Sequence, residues 1–118
     1  MISNRRLKQR AAIFKAVRVF FEGRDYLAVD TPLRLPVLAP AVWIEPEVSG
    51  DHFLQTSPEI CMKRLVASGH SRLFQICHCF RQGERGRLHL PEFSMLEWYC
   101  IGIDYNDLMD ECEELIKS

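Results

Sequence analysis

Two nine-residue stretches, RLFQICHCF at 72–80 and EFSMLEWYC at 92–100, constrain the fold of this chain more than any other feature. Each reads as a strand rich in apolar and aromatic residues. The eleven residues between them, RQGERGRLHLP, form a polar loop with two glycines and three arginines. A loop of that length makes the strands antiparallel neighbours. Side chains alternate along a strand, so the faces follow from the numbering. Phe93, Met95, Glu97 and Tyr99 share one face of the later strand, and Leu96 and Trp98 lie on the other. In the earlier strand Gln75, Cys77 and Cys79 line up with Arg81, while Phe74, Ile76, His78 and Phe80 are opposite. The simplest sheet turns Phe74, Ile76, Leu96 and Trp98 onto helices. Its other face then carries Arg81, Phe93, Glu97 and Tyr99.

The remainder gives the order helix, strand, hairpin, helix, strand, basic loop, strand, helix. Leu7, Ala11, Phe14, Val17 and Phe21, widened by Ile13 and Phe20, predict a helix over 5–22. Gly23 is its expected terminator, in the left-handed conformation. YLAV predicts a short strand, and the three prolines of DTPLRLPVLAP predict extended, irregular chain. VWIEPEV and HFLQTS pair around SGD, with Pro46 marking an edge or bulge. Ser57 and Pro58 open a helix ending near Gly69. Asp104 caps a last helix whose apolar face is Leu108, Met109, Cys112, Leu115 and Ile116. This is an α+β pattern with an antiparallel sheet flanked by helices, in one domain over 1–118.

Bulk properties exclude several classes. The 118 residues, 47% hydrophobic and 26% charged, suit one soluble domain with a core. A formal net charge of -1 implies no general affinity for polyanions. The charge is uneven, with seven basic side chains and one acid in residues 1–24 against six acids and one Lys in 104–118. The two ends are suited to attract each other or a neighbour. No apolar run reaches membrane-spanning length. Lys15 and Arg18 interrupt the N-terminal apolar stretch, so it is not a signal-peptide core; an amphipathic targeting helix is the alternative to a cytoplasmic chain. Five cysteines at irregular spacing read as free thiols of a reducing compartment. The Cys77-His78-Cys79 run is not read as a metal site, because His78 points away from the thiols and the spacing is too short.

Glu92 and Glu97 stand in an otherwise mostly apolar run, and a carboxylate flanked by apolar groups is costly unless cations or donors satisfy it. Glu97 beside Tyr99 is suited to a substrate amine. Arg81 is a rigid charged fork suited to phosphate, and Phe93 is an aromatic platform. Arg85, Arg87 and His89 add positive charge to the loop. Pattern alone also allows a structural partner for Glu97, a sheet-edge cap in Arg81 and core packing for Phe93 and Tyr99, and it favours a solvated loop for Arg85 and Arg87. Glu59, in a first helical turn, equally complements the macrodipole.

Three ordered stretches resemble one family. FRQGERGRLHLPEFSMLEWY resembles motif 2 of class II aminoacyl-tRNA synthetases in its lysyl form, and DYLAVDTP resembles their motif 1, with Pro32 as the hallmark proline. LQTSPEICMKRLVASG is similar to the lysyl-type segment between them. Within the family, the chain is most similar to the lysyl-tRNA synthetase paralogues that modify elongation factor P. The first helix begins almost at residue 1, which matches their lack of an anticodon-binding domain. The resemblance implies an aminoacyl-adenylate formed from ATP, with Mg2+, and lysine or (R)-β-lysine. It implies transfer to elongation factor P, or to tRNA-Lys if the chain is a fragment of a true lysyl-tRNA synthetase. A non-catalytic dimerising module is a further alternative, since motif 1 builds a homodimer interface in the family.

By resemblance, Arg81 contacts the α-phosphate and the attacking carboxylate. Phe93 stacks on adenine, and Arg87 and His89 approach the distal phosphates. Glu59 binds the substrate's backbone-side amine, and Glu97 with Tyr99 binds its side-chain ammonium. The motif departs at Gln82 and Gly83, where the family has Asn and Glu, and at Leu90, where it has Asn. Glu84, one residue later, is the candidate substitute for the acid at the adenine end. Nothing after Trp98 resembles motif 3 or the late acids that hold magnesium. The chain therefore reads as the N-terminal part of a ligase domain: a truncated form, a gene fragment or a degenerate paralogue. ATP–pyrophosphate exchange by this chain with lysine or β-lysine is expected to stay at the level of a blank.

Overall fold

The computed structural model describes residues 3–37, 45–82 and 90–118. Helix α1 spans Asn4–Glu22 and is capped by Ser3, whose Oγ accepts from the Arg6 N–H at 3.2 Å. Its end differs from expectation. Gly23 is right-handed, with φ -68°, and Asp25 takes the positive φ of 64°. The Tyr26 N–H reaches Phe21 O at 3.0 Å and the Asp25 N–H reaches Glu22 O at 3.2 Å, which is the Schellman pattern with Asp25 in the usual glycine place. The helix thus runs past Gly23 before reversing, and a short polar side chain tolerates the left-handed conformation.

Beyond α1 come β1 (Leu27–Ala28), β2 (Arg34–Leu35), β3 (Val48–Ser49) and β4 (His52–Leu54). These are followed by α2 (Glu59–Ala67), β5 (Arg72–Phe80), β6 (Glu92–Cys100) and α3 (Tyr105–Lys117). The three helices with these short and long strands make an α+β arrangement. Strands β5 and β6 have the bounds the sequence predicts and pair antiparallel along their whole length, from Arg72 opposite Cys100 to Phe80 opposite Glu92. The sheet is nevertheless mixed, because β1 lies parallel to β5, Leu27 opposite Leu73. The chain between β1 and β5 includes the second sheet and α2, which is long enough to return it to the same end before β5 starts.

The second sheet has the order β2-β4-β3 and is antiparallel throughout. Gly50, at φ 62°, turns the expected hairpin, and β3 with the neighbouring Pro46 is on its edge. Strand β2 falls inside the segment expected to be irregular. Pro32 and Pro36 flank it, and proline lacks the N–H a longer ladder needs. Helix α2 starts one residue later than expected. Pro58 is its buried N-cap, and Ser57 Oγ accepts from the Glu59 N–H at 3.3 Å.

The faces of β5 and β6 divide as their alternation demands. On one, Phe21 is fully buried and stacks on Phe74 with centroids 5.0 Å apart. It meets Phe20 and Tyr26 edge-on and Trp98 at a tilt. Val17, Leu96, Cys100 and Leu115 surround this cluster. The predicted apolar face of α1 is buried only near its C-terminal end; Leu7 and Ile13 are 48% and 61% exposed. The other sheet face buries Leu73, Gln75, Cys77 and Cys79. Gln55 Nε2 bonds His78 O at 2.9 Å and Cys77 Sγ at 3.3 Å, which ties the start of α2 to this second face.

Helix α3 is closed by a capping box between Asp104 and Asp107. Of its expected apolar face, Leu115 reaches the aromatic cluster, whereas Met109 and Ile116 stay exposed. A carboxylate docks it instead. Glu111 accepts from Tyr26 OH and from Trp98 Nε1, each at 2.8 Å. Glu114 pairs with Arg24, so the acidic end does meet the basic one.

Replacing Asp25 by Gly removes a left-handed non-glycine residue and should stabilise the chain by about 0.5–1 kcal/mol. The expected observation is a higher urea midpoint with an unchanged slope.

Candidate active site

Strand register assembles the candidate site. Gln75 lies opposite Glu97, Cys77 opposite Met95 and Cys79 opposite Phe93, so these side chains share the face closed by Gln55 and α2. Arg81 follows β5 directly, and its N–H bonds Pro91 O at 2.8 Å, which carries the pairing one step beyond the strands. The guanidinium carbon is 5.2 Å from the Phe93 ring centroid, and Nε donates to Thr56 O at 3.4 Å. Phe93 and Glu97 are four residues apart on one strand, about 14 Å at the usual rise. The floor thus has a cationic and aromatic end and an acidic end.

At the acidic end Tyr99 OH donates to Glu97 Oε2 at 2.9 Å. Burial raises the Glu97 carboxyl above its ordinary range, and the Glu59 carboxylate adds to the rise. The Tyr99 hydrogen bond, Lys63 and Arg81 act in the opposite sense. Burial and the bond to Glu97 push the Tyr99 hydroxyl upward, so it remains a donor. A cleft of about 280 Å³ between β6 and α3, on the side of Leu96 and Trp98, is lined by Leu96, Glu97, Trp98, Tyr99, Leu108 and Cys112. The Glu59 that acts on Glu97 stands in the first turn of α2, where Lys63 Nζ donates to its Oε1 at 2.6 Å.

Of the predicted site residues, Arg81, Phe93, Glu97 and Tyr99 come together on one face, with Glu59 beside the acidic end. Glu84, Arg85, Arg87 and His89, with Gly83, lie outside the described residues. Gln82, at one of the motif departures, bonds through its N–H to Glu45 O at 2.8 Å. His78 faces away from both thiols, and its Nδ1 is 3.0 Å from Glu92. Cys77 and Cys79 sit in the floor with sulfurs 3.9 Å apart. Lys63 and Glu111 were not singled out by the sequence. Each sits in a helix among other charged residues, and nothing in the pattern marks which one finds a partner.

The family described as tRNA synthetases class II (D, K and N) matches residues 2–118, and the chain belongs to that family. It is 41% identical to an elongation factor P–(R)-β-lysine ligase of Photobacterium profundum, over 98% of this chain and 39% of that protein. Proteins of the same name from Vibrio atlanticus and Pseudoalteromonas translucida are 43% and 42% identical, over 97% and 94% of this chain. The chain thus spans under two fifths of the length of these relatives: 39%, 38% and 37%.

A carboxyl whose folded pKa is raised binds more protons in the native state than in the unfolded one. Stability therefore falls as pH rises from the ordinary carboxylate value through the raised one. Glu97→Gln should melt higher than the parent at neutral pH. The gap should close below about pH 4, where glutamate is protonated in both states. Melting curves across pH check this.

Proposed function

We propose that this chain carries the substrate-gripping part of a ligase that activates lysine or (R)-β-lysine with ATP and passes it to elongation factor P. The observation that carries the reading is the shared face of Arg81, Phe93, Glu97 and Tyr99, with two carboxylates at the end remote from the arginine. A diamino acid brings two ammonium groups, and Glu59 and Glu97 supply one carboxylate for each. The substrate's carboxylate then points toward Arg81. The names of the relatives support (R)-β-lysine as the amino acid and elongation factor P as the acceptor.

Adenylation joins the substrate carboxylate to the α-phosphorus of ATP and releases pyrophosphate. Phe93 offers its ring to adenine, for which the Arg81 guanidinium must leave the ring face it covers. Arg81 then offsets negative charge on the α-phosphoryl oxygens as the new bond forms. No side chain need form a covalent intermediate; the residues position and neutralise. Magnesium normally accompanies ATP, but among the described residues no group of three or more His, Cys, Asp or Glu is gathered to hold it. Pairing of two chains through α1 belongs to the same reading, supported by the exposure of Leu7, Ile13 and Val19.

Calorimetric titration of the chain with L-lysine, (R)-β-lysine and ATP tests the proposal. Glu97→Gln should weaken binding of either amino acid about 10- to 100-fold, the loss of one charge-assisted contact, and leave ATP binding unchanged. Phe93→Ala should weaken ATP about tenfold and spare the amino acid. Lysine affinity indifferent to Glu97 would overturn the assignment.

A further inference from the structure

Strand β6 is composed as an inner strand and placed as an outer one. Phe93, Met95 and Tyr99 stand on one face and Leu96 and Trp98 on the other, the pattern of a strand covered on both sides. Among the described residues it is nonetheless the end strand of the order β1-β5-β6. Five residues of β5 are buried and none of β6 is. An exposed edge is normally guarded by lysine, proline, a bulge or brevity. Strand β6 has no lysine or proline and pairs without interruption over nine residues. Its two charges do not guard it either, since Glu92 meets His78 and Glu97 takes the Tyr99 hydroxyl.

Which backbone groups are free follows from the ladder. The Arg81 N–H donates to Pro91 O at 2.8 Å and the Ile101 N–H to Ser71 O at 2.9 Å. Both pairs continue the register of β5 and β6 one step beyond the strand ends. The odd-numbered residues of β6 therefore turn their N–H and C=O toward β5, and Ser94, Leu96 and Trp98 turn theirs outward. An unfilled row of alternating donors and acceptors fits another extended strand.

We propose that this edge pairs with β6 of a second copy of the chain, antiparallel about a two-fold axis at Leu96, which joins two three-stranded sheets into one of six. The numbering selects the axis. Centred on Leu96, it opposes Ser94 to Trp98 and Glu92 to Cys100 on one face, and Met95 to Glu97 and Phe93 to Tyr99 on the other. Outward-turned residues then meet only outward-turned residues, a small side chain meets the indole, and no two like charges are opposed. An axis at Ser94 or Trp98 keeps the parity but shortens the overlap from nine residues to five.

The flanking helices add charge complementarity. Arg10 Nη2 donates to Ser94 Oγ at 2.9 Å, so α1 stands at Ser94. Trp98 Nε1 donates to Glu111, so α3 stands at Trp98. Setting Ser94 opposite Trp98 brings α1 of each copy toward α3 of the other. Helix α1 has six basic side chains and one acid, and α3 has five acids and one Lys. The pairing uses the same edge of both copies, so it closes at two chains.

Sedimentation velocity of the full chain over a concentration series, with hydrogen exchange followed by NMR, tests the proposal. The parent should dimerise, and the amides of Ser94, Leu96 and Trp98 should become protected as it does. Leu96→Lys and Leu96→Glu each set two like charges opposite one another and should each weaken the dimer about tenfold. An equimolar mixture of the two should restore it, which neither misfolding nor lost packing at Leu96 would do. Val19→Glu, at an exposed position of α1, should leave the dimer intact. A chain that stays monomeric with those three amides unprotected would overturn the proposal and leave the edge to a different strand. A dimer indifferent to the charge at residue 96 would also overturn it, and its loss in Val19→Glu would assign the pairing to α1.

Discussion

The register of β5 against β6 is the constraint on which the rest depends. With Gln75 opposite Glu97 and Phe74 opposite Trp98, one face of the pair is aromatic and the other carries the polar groups. A slip of one residue would turn every side chain of one strand over. Glu97 would then meet the Phe21 cluster, and Trp98 would enter the polar floor. Burial of Phe21, with Phe20, Tyr26 and Phe74 around it, makes such a slip costly. The packing that gives the chain its core therefore also holds the candidate site in alignment.

Neighbouring side chains of β6 touch two half-buried carboxylates with different fates. Trp98 donates to Glu111, which also takes the Tyr26 hydroxyl and fastens α3 to the sheet. Glu97 has Tyr99 as its hydrogen-bond donor among the described residues, and burial raises its carboxyl. A carboxylate with two protein donors is a structural joint. One with a single donor still has capacity for a cation. Residue type is the same in both cases, so the number of donors decides which is which.

Much of the fold was legible because its signals are local. Strands β5 and β6, the Gly50 hairpin and the Asp104 cap follow from alternation and turn chemistry within a few residues. The misreadings came from longer range. Gly23 was the evident helix terminator, but the chain reverses two residues later, at Asp25. The direction of β1 beside β5 depends on the whole excursion between them. Met109 and Ile116 were assigned to the apolar face of α3, whereas Glu111 docks α3 by hydrogen bonds and leaves them in water. Within the site, motif resemblance marked Arg81, Phe93, Glu97, Tyr99 and Glu59. It passed over Glu111, one of several charges on a helix, because inward placement is not written in residue type.

The sequence by itself determined which side chains share a face of each strand, because backbone geometry makes alternation obligatory. It also determined membership of a synthetase family, through three ordered motifs. Tertiary structure alone decided that Arg81 lies over Phe93 and that Glu111 is spent on the core. These contacts join residues far apart in the chain, and which partner each charge finds is settled by how α2 and α3 pack on the two faces of one sheet.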